Sequence, residues 1–147
     1  MRRPLVVPMR TSIFPAKFDQ LEAIREFAGQ AARDMGMDDS DTYTVELAVD
    51  EACTNIIEHA YRGIKGGDIE CTCDAREDNL TIILRDHGHP FNPRSVSSPD
   101  LGADLKNRKV GGLGLYLIHK LMDEVRFEPL GESGNVLIMV KRRKLAR

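Results

Sequence analysis

The stretch that decides the fold is Thr44–Tyr61, which reads TVELAVDEACTNIIEHAY. At about 100° per residue, the spacing of an α-helix, its apolar side chains gather on one side of the helix. These are Val45, Val49, Ala52, Cys53, Ile56, Ile57 and Ala60. Glu51, Asn55 and Glu58 gather on the opposite side. The pattern predicts an amphipathic helix with one face in the core.

The polar face of this helix has two interpretations. Glu51 and Asn55 are at positions i and i+4, so their side chains lie one above the other and can hold an ion or a water between them. His59 lies a further turn on. In an arbitrary amphipathic helix, however, such a face is more often a solvated surface. The rest of the chain has to decide between the two.

Composition limits the range of functions. The 147 residues fit one domain with a core of its own, and we expect no second domain. With 21 basic and 23 acidic residues the net charge is -2, which creates no long-range field for nucleic acid or an anionic membrane. A phosphate ligand would have to be bound locally. No segment has the apolar length of a signal-peptide core or a membrane span, so we expect a cytoplasmic protein.

The three cysteines, Cys53, Cys71 and Cys73, are interpreted as buried reduced thiols. Cys53 lies on the apolar side of the central helix, and the other two alternate along a predicted strand with their side chains on one face. A metal site would need two more ligands close by, and the sequence shows no such cluster.

We expect residues 5–16 to form an edge strand. Residues 1–10 would be an N-terminal extension or part of that strand. The stretch is partly β-branched, but Pro8 and Pro15 exclude it from the middle of a sheet. An exposed edge is a surface on which another chain can pair.

Capping residues predict where the first two helices begin. The first helix starts at Asp19, where Glu22 completes a capping box, and it stops at Gly36. Ser40 is the predicted cap of the central helix.

Residues 68–75 and 80–85 predict an antiparallel hairpin around a short polar turn. The second strand runs directly into Asp86-His87-Gly88-His89-Pro90-Phe91. A carboxylate followed by glycine at a strand end is a place where backbone can approach a ligand closely. Residues 92–110 then form a long polar connection, of a length typical of functional lids or disordered segments.

This connection closes on Gly111-Gly112-Leu113-Gly114, which opens a helix with a strong apolar stripe. Glycines at a helix start turn unpaired backbone N–H groups and the positive end of the helix dipole outward, which predicts an anion site. Residues 125–129 and 136–141 predict two last strands. We expect the basic end, residues 142–147, to be frayed, with nucleic-acid binding as the less favoured alternative.

Each signal is weak alone, but their order is specific. Glu51-x-x-x-Asn55 on a helix, Asp86-x-Gly88-x-x-Phe91 after a strand and Gly111-Gly112-x-Gly114-Leu115 at a helix start resemble the N, G1 and G2 boxes of the GHKL superfamily of ATP-binding domains. AVDEACTNIIEHAY and GGLGLYLIHKLMDEV resemble one branch more closely, the anti-sigma-factor serine kinases of the RsbW type. The resemblance extends over residues 11–142.

We therefore expect an α+β fold, a two-layer α/β sandwich of the Bergerat type. Its sheet would be mixed but largely antiparallel, with three main helices on one face. Residues 1–147 would form a single GHKL-like domain in which residues 92–110 are the ATP lid.

The resemblance also implies a role for each site residue. Asn55 would ligate the Mg2+ that bridges the phosphates of ATP, and Glu51 would orient or deprotonate the attacking hydroxyl. Asp86 would accept a hydrogen bond from the adenine amino group, where guanine presents an oxygen, and Gly88 would let the base approach. The phosphates would meet the G2 box, and a lid cation would reach the terminal phosphate. The G2-box residues are Gly111, Gly112, Leu113, Gly114 and Leu115, and the lid cations are Arg108 and Lys109.

Some positions near this site keep more than one interpretation. The family tends to offer Gly-Thr on its last strand, where this chain has Gly134-Asn135, and asparagine can still donate or accept a hydrogen bond near the base. His59 either borders the nucleotide pocket or packs under a turn. We interpret His87 and His89 as loop residues, and Phe91 as an anchor for the lid hinge rather than a base-stacking ring.

The resemblance implies a serine/threonine-protein kinase that regulates transcription by partner switching. It would transfer the γ-phosphate of Mg-ATP to a serine on a STAS-type anti-sigma-factor antagonist, hold a sigma factor inactive, and form a homodimer. The sequence contains no phosphoacceptor-histidine helix pair, which favours the serine kinase over a histidine kinase. Two alternatives remain: an ATP-sensing module that sequesters a partner without phosphorylating it, and a stand-alone GHKL ATPase.

Overall fold

The computed structural model describes residues 8–91 and 117–144. They form a five-stranded sheet in the order β1-β2-β3-β5-β4, and each of the four described pairings is antiparallel. The strands are β1 (Arg10–Pro15), β2 (Asp68–Arg76), β3 (Asn79–Asp86), β4 (Glu124–Pro129) and β5 (Asn135–Arg142). The predicted hairpin is β2–β3, and the predicted edge strand, β1, lies at one end of the strand order.

Two helices, α1 (Leu21–Asp34) and α2 (Asp39–Asn55), cover one face of this sheet, together with a helical stretch over residues 117–121. Side chains alternate along the strands, so every second residue of β2 and β3 faces the helices and is buried. The buried apolar residues of β2 and β3 are Ile69, Cys71, Cys73, Leu80, Ile82 and Leu84. The expected two-layer α+β fold is confirmed.

The predicted capping residues are wrong for both helices. A short 3-10 turn, Phe18–Gln20, precedes α1, whose N-cap is Gln20 with no side-chain hydrogen bond, so Asp19 and Glu22 form no capping box there. Asp38, not Ser40, caps α2: it is extended, and its carboxylate accepts the backbone N–H of Asp41 at 2.8 Å. An aspartate two residues earlier in an acidic turn competes equally well for this position.

The central helix changes type after Asn55. Residues Ile56–Ala60 form a π-helical turn, where the sequence predicts a regular α-helix through the whole of Thr44–Tyr61. Such wide turns inside helices are rare and occur often at functional sites. Here the turn follows directly on one of the predicted ligand residues.

All three cysteines are free and buried. Burial raises the pKa of the Cys53 thiol, and a hydrogen bond with Cys73 together with burial raises that of Cys71. Thiols in this state are poor nucleophiles.

The end of β5 is held against the corner between the two helices. Arg142 belongs to the strand, Arg143 donates to the backbone carbonyl of Met35 at 2.9 Å, and Lys144 lies 3.7 Å from the buried carboxylate of Asp41. These three residues are therefore anchored, where a frayed end was expected.

Several predictions lie outside the described residues. They concern the lid (92–110) with Arg108 and Lys109, and the G2-box positions Gly111, Gly112, Leu113, Gly114 and Leu115. In the described part of the chain, no helix has the length and apolar character needed to cross a membrane.

Candidate functional site

The end of α2 and the end of β3 meet at one cavity. Asn55, the last residue of α2, is 7% exposed, and Asp86, the last residue of β3, is 1% exposed. Both line a cavity whose remaining walls are mostly apolar side chains of the helix layer, β4 and β5. Two residues that the sequence predicts on separate elements are thus brought to the same place.

This cavity is narrow in the present conformation. Its volume of about 20 Å³ has room for a water molecule, which needs roughly 10–15 Å³, but not for a purine. A base that binds here has to displace side chains of the wall as it enters.

Asp86 uses one of its two carboxylate oxygens within the protein. Oδ1 accepts the backbone N–H of Gly88 and Nδ2 of Asn135, each at 2.9 Å. No group among the described residues donates to Oδ2. Burial raises the pKa of Asp86, and the hydrogen bonds from Asn135 and Gly88 and the charge of nearby His87 oppose that rise. The carboxylate therefore keeps one acceptor oxygen for a ligand.

Asn135 faces Asp86 in the register between β3 and β5 and is itself 1% exposed. Besides its bond to Asp86, Nδ2 donates to the backbone carbonyl of His89 at 2.9 Å. Its Oδ1 accepts the backbone N–H of Phe91 at 3.3 Å. A contact between Asn135 and a base stays a prediction, whereas its contacts with Asp86 and the following loop are part of the fold.

Tyr61 holds the start of the same loop. Its hydroxyl accepts the backbone N–H of His87 at 2.8 Å and donates to the backbone carbonyl of Asp68. The residue follows the π-helical turn, so one phenol joins the helix layer, the start of β2 and the residue after Asp86.

Two glycines allow the close approaches that shape this loop. A Cβ on Gly88 would lie 2.3 Å from the backbone carbonyl of Ala60, which accepts the N–H of His89 at 2.7 Å. A Cβ on Gly134, where φ is +103°, would lie 1.9 Å from the backbone oxygen of Asp86. Packing alone therefore requires glycine at both positions, and the predicted role of Gly88 beside a base stays a prediction.

Glu51 lies one turn before Asn55 on α2 and is partly buried. Burial raises the pKa of the Glu51 carboxyl, and the neighbouring carboxylates of Asp50 and Glu58 raise it further. The amide of Asn55 makes no hydrogen bond within the described part of the chain. Because Asn55 is only 7% exposed, the interpretation of this face as a solvated surface is wrong for Asn55.

The aromatic and histidine residues near the site have packing contacts. The ring of Phe91 lies 5.9 Å from the ring of His59 and 5.5 Å from that of Phe127, measured between centroids. Phe91 packs on the core and also forms part of the cavity wall, which agrees with an anchoring role. His87 and His89 are exposed loop residues, as predicted.

The sequence analysis gave Tyr61 no role in the site and named Gly134 only as the neighbour of Asn135. The signal for Tyr61 was weak, because an aromatic residue at a helix end is usually explained by core packing. Gly134 could have been found from its place directly before the residue that pairs with Asp86, but that register is not visible in the sequence.

The sequence model of the histidine kinase-like ATPase domain matches residues 14–141. The chain belongs to the histidine kinase-like ATPase family. Within this family it is 37% identical over 133 residues to the serine-protein kinase RsbW of Bacillus licheniformis, covering 86% of this chain and 81% of that protein. It is 36% identical to RsbW of Bacillus subtilis over 132 residues, with the same coverage.

Solved structures of this ATPase family have the same fold. The RsbU and RsbW domains of a Mycobacterium tuberculosis protein match 93% of this chain and 32% of that chain, with a TM-score of 0.64 and 17% identity. The catalytic domain of the histidine kinase ThkA matches 91% of this chain and 96% of that domain, with a TM-score of 0.52 and 15% identity.

The family match confirms the GHKL-type, ATP-binding fold predicted from the three boxes. The curated relatives confirm the RsbW branch predicted from the two longer segments. Both curated relatives are serine-protein kinases. They confirm the prediction that this chain is an ATP-dependent protein kinase of the serine/threonine class.

The chemistry of two described side chains suits ATP and a magnesium ion, although the cavity has to widen before a base can enter. Asp86 Oδ2 is an acceptor suited to an exocyclic amine, and the Asn55 amide offers a buried hard oxygen. Residues 8–91 and 117–144 contain no group of three or more acid, histidine or cysteine side chains that could enclose a metal. A metal at Asn55 would therefore take few protein ligands, which is the habit of Mg2+ beside phosphates.

Proposed function

We propose that this kinase binds Mg-ATP at the Asn55–Asp86 cavity and transfers the γ-phosphate to a serine of an anti-sigma-factor antagonist. The observation that carries the proposal is the meeting of these two buried side chains at one cavity, each with an oxygen that no described residue engages. Family membership supports the same site, because the two residues fall in the predicted N and G1 boxes.

Asp86 recognises the base in this proposal. Its Oδ2 accepts a hydrogen bond from the adenine amino group, whereas guanine would bring an oxygen toward the carboxylate. Two acceptors that face each other in a buried site repel, and each loses its hydrogen bonds to water. Recognition therefore favours adenine.

Asn55 holds Mg2+ through its side-chain oxygen. When bound there, the ion would supply positive charge against the charge that develops on the transferred phosphoryl group. The G2-box residues Gly111, Gly112, Leu113, Gly114 and Leu115, which lie outside the described residues, would bind the phosphates, and Arg108 or Lys109 would contact the terminal one. Asn135 completes the nucleotide site on the β5 side.

Glu51 is the catalytic base. As the serine oxygen of the substrate attacks the γ-phosphorus and the bond to the leaving ADP breaks, the Glu51 carboxylate takes the hydroxyl proton. A carboxyl whose pKa is raised by burial and by like charges is a stronger base than an ordinary glutamate. This difference supports Glu51 over the exposed acids of α1.

The partners are an antagonist of the STAS type as substrate and a sigma factor held inactive, which makes the kinase a regulator of transcription. The protein acts in the cytoplasm, without direct contact with nucleic acid or membrane. Homodimerisation is part of the proposal, and the exposed edge strand β1 supplies a surface for it, since a sheet edge carries unpaired backbone groups.

Transfer of labelled phosphate tests the proposed function. The protein is incubated with γ-labelled ATP, Mg2+ and each small STAS-type protein encoded beside its gene. Label should reach a serine of one partner and disappear when that serine is changed to alanine. Glu51→Ala should lower the rate by about 100- to 10,000-fold with ATP affinity little changed, whereas the exposed Glu26→Ala should leave it unchanged.

Two other results would replace this function. Nucleotide binding and partner capture without transfer of label would favour an ATP-sensing module that sequesters its partner. Steady phosphate release without any partner would favour a stand-alone ATPase.

A further inference from the structure

We propose that Asn135 is a positioning residue for base selection: it fixes the Asp86 carboxylate so that only Oδ2 is offered to the purine, and it makes no donor contact with the base itself. This inference rests on the proposed nucleotide site. It changes the expected role of Asn135 from ligand contact to control of Asp86.

The hydrogen-bonding capacity of Asn135 is the first argument. An asparagine amide has two N–H donors. One donates to Asp86 Oδ1 and the other to the backbone carbonyl of His89, each at 2.9 Å. No donor is left for the base.

The network also fixes which way the amide points. With Nδ2 and Oδ1 exchanged, the amide oxygen would face the Asp86 carboxylate and the His89 carbonyl, and the NH2 group would face the N–H of Phe91. Every contact would then be repulsive. The observed orientation is therefore the stable one, and it holds the carboxylate of Asp86 in one rotation.

Asp86 cannot turn freely for a second reason. Its Oδ1 also accepts the N–H of Gly88, and the residue is only 1% exposed. Both protein donors therefore meet the same oxygen. Asp86 lines the cavity and its other oxygen accepts no hydrogen bond from a described residue, so the choice between an amine and a carbonyl on the purine depends on a carboxylate that Asn135 keeps oriented and ionised.

The test compares the dissociation constants of ADP and GDP by calorimetry, because their ratio is insensitive to a partly unfolded sample. For the native protein we expect ADP to bind at least tenfold tighter, since a hydrogen bond to a charged group is worth at least that factor. Asn135→Leu has a similar volume and no donor, and we expect it to lower the ratio at least fivefold.

A second variant keeps the test valid if Asn135→Leu does not fold. Asn135→Thr retains one hydroxyl that can donate to Asp86 but cannot also reach His89 and Phe91. We expect its ADP to GDP ratio to stay within threefold of the native ratio. A Thr variant that has lost selectivity would contradict the proposal.

Tyr61→Phe is the matched control. It removes the hydroxyl that holds His87 and thus loosens the same loop without removing a hydrogen bond to Asp86. Both nucleotides should lose affinity by a similar factor, so that the ratio is kept. An equal loss of selectivity in Tyr61→Phe and Asn135→Leu would mean that loop rigidity, not the bond to Asp86, selects the base.

The pH profile gives an independent readout. The groups facing Asp86 are Asn135, the Gly88 N–H, His87 and the Tyr61 hydroxyl. Removing the Asn135 donor destabilises the charged carboxylate, so protonation occurs at higher pH and the acid-side loss of ADP binding should move up by about one pH unit. An unmoved profile together with an unchanged ratio in Asn135→Leu would assign Asn135 a purely structural role.

Failure of the proposed nucleotide site has a different signature. If the native protein bound neither nucleotide, or bound GDP as well as ADP, the site itself would be wrong before any variant was made. Selectivity in the native protein with the same selectivity in Asn135→Leu would overturn only the role of Asn135.

Discussion

At the scale of single residues, burial gives ordinary side chains unusual properties around one cavity. Asp86 and Asn135, which line the cavity, are each 1% exposed and hydrogen-bonded to one another. Glu51, one turn before the cavity residue Asn55, is partly buried beside other carboxylates. Like charges and loss of water both penalise the ionised form of an acid. The same amino acids on the exposed face of α1 would be unremarkable surface groups.

The like charge of Glu58 leads to a prediction on pH dependence. Burial, Asp50 and Glu58 all raise the pKa of Glu51, so the kinase should lose activity on acidification at a higher pH than an ordinary glutamate would dictate. Glu58→Gln removes one of these charges. The acid limb of the kcat profile should then move to lower pH by a few tenths of a unit, whereas Glu26→Gln should not move it. A shift to higher pH would contradict Glu51 as the base.

The sequence predicts which residues belong to the candidate site, but it does not show the contacts through which some of them act. Helical spacing put Glu51 and Asn55 together, and the strand end pointed to Asp86, so these three were predicted. The bond between Asp86 and Asn135 depends on the register of two strands that are 49 residues apart in sequence at this pair, and no local pattern encodes that register.

At the scale of elements, the site is built where three ends meet: the end of α2 with its π-helical turn, the end of β3 and the start of β5. Element types and most boundaries could be predicted, because their periodicities of 3.6 and 2 residues are strong. The caps could not, because Asp38 and Ser40 both suit the start of α2 and only the course of the preceding turn decides.

The contact between Gly134 and the end of β3 predicts a large effect of a small substitution. Gly134→Ala adds a Cβ 1.9 Å from the Asp86 backbone oxygen at a φ of +103°. The free energy of unfolding should fall by about 2–5 kcal/mol from the combined strain and overlap. Gly63→Ala, also at positive φ but with nothing within 4 Å, should cost only about 1–2 kcal/mol.

Chemical denaturation of both variants would measure this difference. Equal costs for Gly134→Ala and Gly63→Ala would mean that the close approach of β5 to Asp86 does not exist in solution.

At the scale of the whole molecule, contacts between residues far apart in sequence hold the end of the sheet against the two helices. Arg143, at the end of the sheet, donates to the carbonyl of Met35 at the end of α1, 108 residues away. Lys144 beside it pairs with Asp41, a buried carboxylate at the start of α2. The sequence could not predict this, because a basic chain end offers no pattern to distinguish anchored from frayed residues.

Removing this tie should lower stability without affecting the site. Arg143→Ala should reduce the free energy of unfolding by about 1–2 kcal/mol, because the Met35 carbonyl loses a charged donor. Arg142→Ala, whose side chain is exposed at the end of β5, should change it by less than about 0.5 kcal/mol. If thermal unfolding of the two variants were indistinguishable, the anchored corner would be wrong.

Hydrogen–deuterium exchange with and without Mg-ATP tests the central claim most directly, because it locates the nucleotide on the chain. We predict that nucleotide slows exchange at residues 55–61, 86–91 and 134–135 together, while β1 changes little. Protection confined to other elements, or none in these three segments at saturating Mg-ATP, would contradict a nucleotide site at the meeting point of Asn55 and Asp86.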